Sequence, residues 1–169
     1  TGLERLLANP AFKDQQGIRG EDTSALTRSL QRTGFRWGLD ARERGGDETH
    51  SLSWCLDRWL LGLALPQRPG LAPGGTAPFH QDLDPQRLVR WWSVLDRLVR
   101  WLQQLRRPRT SVAWVELLQA LLDDLFADGG DWSWERQGWS AALADWQQRA
   151  AACPLAREVA VAAEVLAEA

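Results

Sequence analysis

The chain has 169 residues, 44% of them hydrophobic and 25% charged, with two cysteines and a formal net charge of −2. That balance supports a folded domain with its own core, and excludes a disordered segment, a disulfide scaffold and a protein that binds polyanions through bulk charge. No apolar run reaches the roughly 20 residues of a spanning helix and no signal-peptide pattern opens the chain, so a cytoplasmic location is expected.

Apolar residues recur at helical spacing along most of the sequence, and no segment keeps a two-residue alternation with β-branched enrichment. The expectation is an all-α domain over residues 1–169, with six to eight helices of unequal length in an irregular orthogonal or bundle-like arrangement. The chain opens Thr1-Gly2 without a methionine, as an internal piece of a longer protein would. Leu3, Leu6 and Leu7 predict one helical turn before Asn9-Pro10, and a second short piece follows to about Gln16. After Gly17, Asp22 or Thr23 is a suitable N-cap for a helix to about Thr33 that turns Leu26 and Leu30 inward; Gly34 stops it.

Gly34-Phe35-Arg36-Trp37-Gly38-Leu39-Asp40 reads as an ordered aromatic turn, followed by a polar loop from Ala41 to His50. Ser51 or Ser53 caps the next helix, Trp54 to Leu65, whose apolar positions nearly encircle it, as suits a central buried helix. The two glycines are expected to hold Trp37 against that helix. Residues 66–83 carry Pro66, Pro69, Gly70, Pro73, Gly74, Gly75 and Pro78, which predicts a long Pro/Gly-rich loop.

Asp84-Pro85 is a strong helix start. Within that helix Leu88, Trp92, Leu95, Leu98 or Val99, Leu102 and Leu105 form a narrow seam, and Arg87, Arg90, Arg97 and Arg100 are expected on the opposite side. The stretch 82–109 holds seven arginines against three aspartates, whereas 116–135 is acidic with no basic residue. After Pro108, Thr110 or Ser111 starts a helix with Trp114, Leu117, Leu118, Leu121, Leu122 and Leu125 on its inner face. Trp132, Trp134, Trp139, Leu143 and Trp146 mark another from about Asp131 to Ala152, and Pro154 opens a last one.

Chemical signatures are sparse. There is no phosphate loop, nucleophile elbow, zinc-protease motif or dinucleotide fingerprint. His50 and His80 fall in loops, where solvation is the simplest reading. Asp123, Asp124, Asp128 and Asp131 offer a carboxylate cluster for Mg²⁺, but the helical step splays adjacent aspartates and a solvated helix end accounts for them as well. Most tryptophans share the spacing of leucines and read as core; Trp37 reads as a packed anchor in preference to a base-stacking platform. Cys55 and Cys153 lack metal or redox spacing and read as two buried thiols. Neither catalysis nor a cofactor is expected of the chain itself.

Two segments resemble a known family. Gly34-Phe35-Arg36-Trp37-Gly38-Leu39-Asp40-Ala41 is similar to the Gly-Ile-Arg-Trp-Gly-Leu/Ile-Asp stretch of RecC, the gamma subunit of exodeoxyribonuclease V. Ser53 to Leu65 resembles that family's Thr/Ser-Trp-Arg-Phe-Gly-Leu-Asp-Arg-Leu-Leu-Leu-Gly-Tyr-Ala-Met through Trp54, Asp57, Arg58 and Gly62. It is shorter between Trp54 and Asp57, and leucines replace Tyr and Met. Gly17-Ile18 with the helix after it, and Trp114 to Leu118 through Asp123 to Phe126, follow the family's order. The resemblance implies a helical segment of a helicase-like subunit without ATPase motifs, in a complex that unwinds and degrades DNA ends for recombinational repair. It implies RecB-type and RecD-type subunits as partners, which hold the ATPase and nuclease chemistry. The charge pattern by itself makes Arg87, Arg90, Arg97 and Arg100 candidates for DNA contact, beside the plainer reading of a solvated face or salt-bridge partners. Two readings stand beside it: a stand-alone helical interaction module, and a metal-dependent hydrolase built on Asp123 to Asp131.

Overall fold

The computed structural model describes residues 2–67, 71–72, 74–154 and 159–163. Among them the chain forms α1 (Gly2–Ala8), α2 (Pro10–Gln16), α3 (Gly20–Thr33), α4 (Leu52–Ala64), α5 (Pro85–Leu105), α6 (Ser111–Leu125) and α7 (Ser133–Ala152), with a 3₁₀ turn at Gly130–Trp132. Among the described residues the one β-type pairing is an isolated bridge between Arg109 and Val161. The fold is all-α.

The described chain resolves into two compact units: Thr1–Thr23 with Gln103–Ala169, and Ser24–Leu102. In the first unit the local code is explicit. Asn9 caps α2 by accepting from the Phe12 N–H at 3.0 Å, with Pro10 at the first helical position. Gly17 ends α2 at φ 63°, where the N–H of Ile18 reaches back to the Lys13 carbonyl at 2.9 Å. Gln16 then donates to the Asp124 carbonyl at 2.8 Å and the Ala127 N–H to the Ala11 carbonyl at 3.0 Å, so α2 satisfies the open end of α6. Phe12 and Phe126 meet edge to face across that junction, 5.9 Å apart.

The helix expected to begin at Asp22 or Thr23 begins earlier. Asp22 sits one turn inside α3, where its carboxylate accepts from the Arg19 N–H at 3.1 Å, the reciprocal half of a capping box. Thr23 donates to the Leu7 carbonyl. A last helix from Pro154 lies chiefly on residues 155–158 and 164–169, outside the described residues. Between them residues 159–162 are not helical, and Val161 exchanges backbone hydrogen bonds with Arg109 while accepting from the Trp114 indole at 2.9 Å.

α7 departs from the expected aromatic core. It buries Leu143 and Ala150, but Trp134 and Trp139 stand 69% and 56% exposed. Trp134 is rotated away from the Leu143 face by the helical step. Trp139 is on that face but opens onto a cavity of about 350 Å³ that it lines with Ala11, Leu118, Leu121, Leu122 and Phe126. Those three leucines are consequently half-buried, while Trp114, Val115, Leu117 and Leu125 form the buried side of α6. The Trp132 side chain lies outside the described residues.

In the second unit Trp59, Trp91, Leu26, Leu30, Leu95 and Cys55 are almost fully buried. The buried face of α5 is Leu88, Trp91, Val94, Leu95, Leu98 and Val99, so Trp91 and not Trp92 occupies the seam. Trp92 is half-buried at its flank and donates to the Leu56 carbonyl at 3.1 Å. α4 is capped by Ser51, which accepts from the Trp54 N–H. It is not buried on all sides: Leu52, Cys55, Leu56 and Trp59 face inward, and Leu60 and Leu63 are exposed.

Between α4 and α5 no regular element forms among the described residues; Pro69, Gly70 and Pro73 lie outside them. The excursion is nevertheless tied down. The Phe79 N–H donates to the Arg58 carbonyl at 3.0 Å, Ser29 to Gln81, and the His80 imidazole meets the Leu65 carbonyl at 3.1 Å. A Cβ at Gly62 would stand 2.2 Å from the Phe79 carbonyl oxygen, so glycine is required for the excursion to cross α4. Gly62→Ala is therefore expected to destabilise the protein by about 3 kcal/mol, since the blocking atoms are backbone and cannot rotate away. Chemical denaturation of the variant checks this.

Candidate functional site

Two arrangements in the second unit carry functional interest: the glycine-bracketed turn with the start of α4, and the arginine side of α5.

Gly34 and Gly38 have φ of 107° and 82°, in the region that disfavours side chains, and between them the chain reverses. The Arg36 N–H donates to the His50 carbonyl, and the N–H groups of Leu52 and Ser53 donate to the carbonyls of Gly38 and Leu39, all at 3.0 Å. His50, itself at φ 70°, places its Nδ1 2.6 Å from the Gly34 carbonyl oxygen, so Nδ1–H is the donor, and its ring packs edge to face on Trp54. His50 is thus a clamp and not a solvated loop histidine. A Cβ on Gly34 would meet His50 and Trp54 at 3.2 and 3.3 Å. The turn docks on α4 through this trio.

Trp37 takes no part in that docking. Its ring is 57% exposed and carries the Arg44 guanidinium 4.7 Å from its centroid, while Arg44 also donates to the Trp37 carbonyl at 3.2 Å. The anchoring expected of Trp37 is made by Leu39, which is buried, and by His50. The reversal puts residue 39 inward and residue 37 outward. Asp40 closes the turn by accepting from the N–H groups of Arg42 and Glu43, and the Glu43 carboxylate accepts from the Leu39 N–H at 2.7 Å.

Arg58 joins three pieces of chain. Its guanidinium donates to the carbonyls of Thr33, at the end of α3, and Ala77, in the excursion. It also lies 4.7 Å from the Trp54 ring centroid and 5.3 Å from that of Phe79. Trp59 donates to the Thr33 hydroxyl, which donates in turn to the Ser29 carbonyl. Asp57 stands on the exposed flank of α4; partial burial and the charge of Glu48 raise its pKa. Burial pushes the Cys55 thiol up to about 12, against a smaller opposing pull from Arg58.

On α5 the four arginines do not behave alike. Arg87 is one turn from Trp91 and stacks on its ring at 4.7 Å, at the edge of the buried face and not opposite it. Arg97 is half-buried, and Arg100 pairs with Asp96 at 2.9 Å across one turn. Arg90 and Arg100 are exposed. In the first unit the carboxylate cluster is drawn apart: Asp123 binds Arg136 and Gln119, and among the described residues no three His, Cys, Asp or Glu side chains are placed to hold a metal ion.

A family model for the fourth domain of the RecBCD enzyme subunit RecC matches the chain over residues 1–169. The chain belongs to the RecC family. Among individually curated proteins none is a significant match. In this RecC domain the two segments that carried the resemblance meet in space, since Gly34 and its neighbours close on Trp54 while Arg58 and Gly62 fix the excursion beside them. Sequence reasoning missed His50, Thr33, Arg44 and Phe79. Thr33 carried a faint signal as a hydroxyl beside a helix-ending glycine; His50 and Phe79 act through neighbours distant in the chain, and Arg44 through the folding of its own turn back on Trp37.

Trp37→Ala is expected to change stability by less than about 0.5 kcal/mol, as at other exposed positions, whereas Trp59→Ala should cost about 3–5 kcal/mol. Thermal melts of the two variants check the contrast. A second outcome concerns the thiols. Cys153 is exposed and Cys55 fully buried, which corrects the reading of two buried cysteines. One thiol should react rapidly with an aromatic disulfide reagent in the native protein, and the second only after denaturant is added.

Proposed function

We propose that this RecC domain is a non-catalytic scaffold and DNA-handling segment of a helicase-nuclease that processes double-strand breaks for recombination, working in the cytoplasm beside RecB-type and RecD-type subunits. The observation that carries the reading is the family match along the whole chain. Its supports are chemical. Arg90 and Arg100 project from α5 away from a face sealed by Trp91, Leu95 and Leu98, where guanidinium groups can meet phosphate without disturbing the core. Arg97 flanks them. No described helix is long and apolar enough to cross a membrane.

A second reading, a module that binds protein alone, draws on Trp134 and Trp139, whose exposure on α7 suits docking on a neighbour. The two readings part at α5. Reversing Arg90 and Arg100 to glutamate in the intact complex is expected to weaken binding of DNA ends about tenfold at low salt and to flatten the log–log salt slope by about two, since each removes a phosphate contact. The melting temperature should hold within a degree or two, because the surface pair of Arg100 with Asp96 adds little. Wild-type binding by the variant would leave protein docking as the role of this domain.

A further inference from the structure

An exposed tryptophan held rigidly by a turn is costly to hydrate, and Trp37 is both. Glycine conformations at 34 and 38, the clamp of His50 and the backbone pairing of residues 36, 38 and 39 with 50, 52 and 53 fix its position. Arg44 occupies one side of the ring, so the accessible area lies on the opposite face and edge. The carboxylates nearby are engaged with their own backbone: Asp40 accepts from residues 42 and 43, Glu43 from residue 39, and Asp47 from Thr49 at 2.9 Å. Arg36 and Arg42, in the same turn, are exposed.

We infer that the Trp37–Arg44 pair is a stacking site for an unpaired nucleotide base, with the arginines of the same turn serving the adjoining phosphates. This deepens the DNA-handling reading and rests on it for the class of partner; it adds a single-stranded contact remote in sequence from α5. Chemistry favours a base over a protein side chain. A protein hot spot needs a surrounding ring of contacts that excludes water, but Leu39 is buried and the exposed neighbours of Trp37 are charged. Stacking needs one free aromatic face and a cation in reach, and it tolerates any base. Bases within a duplex are already stacked, so the ligand is single-stranded.

The test uses the intact RecC polypeptide with a single-stranded oligonucleotide bearing iododeoxyuridine, irradiated at long wavelength, the cross-linked peptides then being sequenced by mass spectrometry. A cross-link at Trp37 is expected, reduced about tenfold in Trp37→Ala, retained in large part in Trp37→Phe and weakened in Arg44→Gln, in keeping with the contribution of one stacked base. Because the readout is a position in the chain, DNA sites elsewhere in the polypeptide do not mask it. Cross-links on α5 with none at Trp37 would overturn this inference and leave the DNA-handling reading standing. Cross-links to neither would sink both. If a photoreactive residue at position 37 traps another polypeptide of the complex and no oligonucleotide, the turn is a protein contact and the inference is wrong.

Discussion

A helix end leaves its last carbonyls without donors, and at the end of α3 the Arg58 guanidinium supplies one to Thr33. That bond is charge-assisted and lies at the negative pole of the helix, where a cation is favoured. The same guanidinium carries the Ala77 carbonyl and lies against Trp54 and Phe79. The Thr33 hydroxyl receives Trp59 one position along α4. Two consecutive residues of α4 therefore fix where α3 ends, and the glycine turn begins at the next residue. The position of that turn, of the excursion and of the face that α4 offers to α5 follows from this junction.

Lysine could not replace Arg58. An ammonium would bring charge to the Thr33 carbonyl, but it lacks the planar fork that reaches a second carbonyl while stacking on rings. The Asp-Arg pair of α4 is divided in function, with Arg58 turned to the interior and Asp57 left on the exposed flank, its acidity weakened by partial burial and then by Glu48. Adjacent residues on a helix point about 100° apart, so one can be structural while its neighbour meets solvent.

The helices were legible because their punctuation is local: Asn9-Pro10, Gly17, Gly34, Ser51, Asp84-Pro85 and Thr110 each act within a few residues. Asp22 misled because a carboxylate serves equally at the cap and at the third helical position, and spacing alone does not separate the two. Trp92 was preferred to Trp91 because neighbouring tryptophans fit a three-four repeat almost equally well, and the choice depends on the rotation of α5 against its surroundings. Trp37 illustrates the larger gap. Its size and the flanking glycines spoke for burial, but which of residues 37 and 39 turns inward is decided by the backbone hydrogen bonds of residues 36, 38 and 39 with residues 50, 52 and 53. The arginine face was half legible, since charge pattern locates cations but not whether one has been drawn over an indole, as Arg87 has.

The crossing of the excursion over α4 also bears on how such a domain can vary. Both ends of the stretch from Leu65 to Phe79 are pinned, by His80 on the Leu65 carbonyl and by Arg58 on Ala77 and Phe79, while Gly62 keeps the backbone crossing open. Closing a longer loop between fixed ends adds only about 0.6 kcal/mol per doubling of its length. A change in the length of this stretch between its two pins thus costs little in chain entropy, whereas position 62 has no room for even one methyl group.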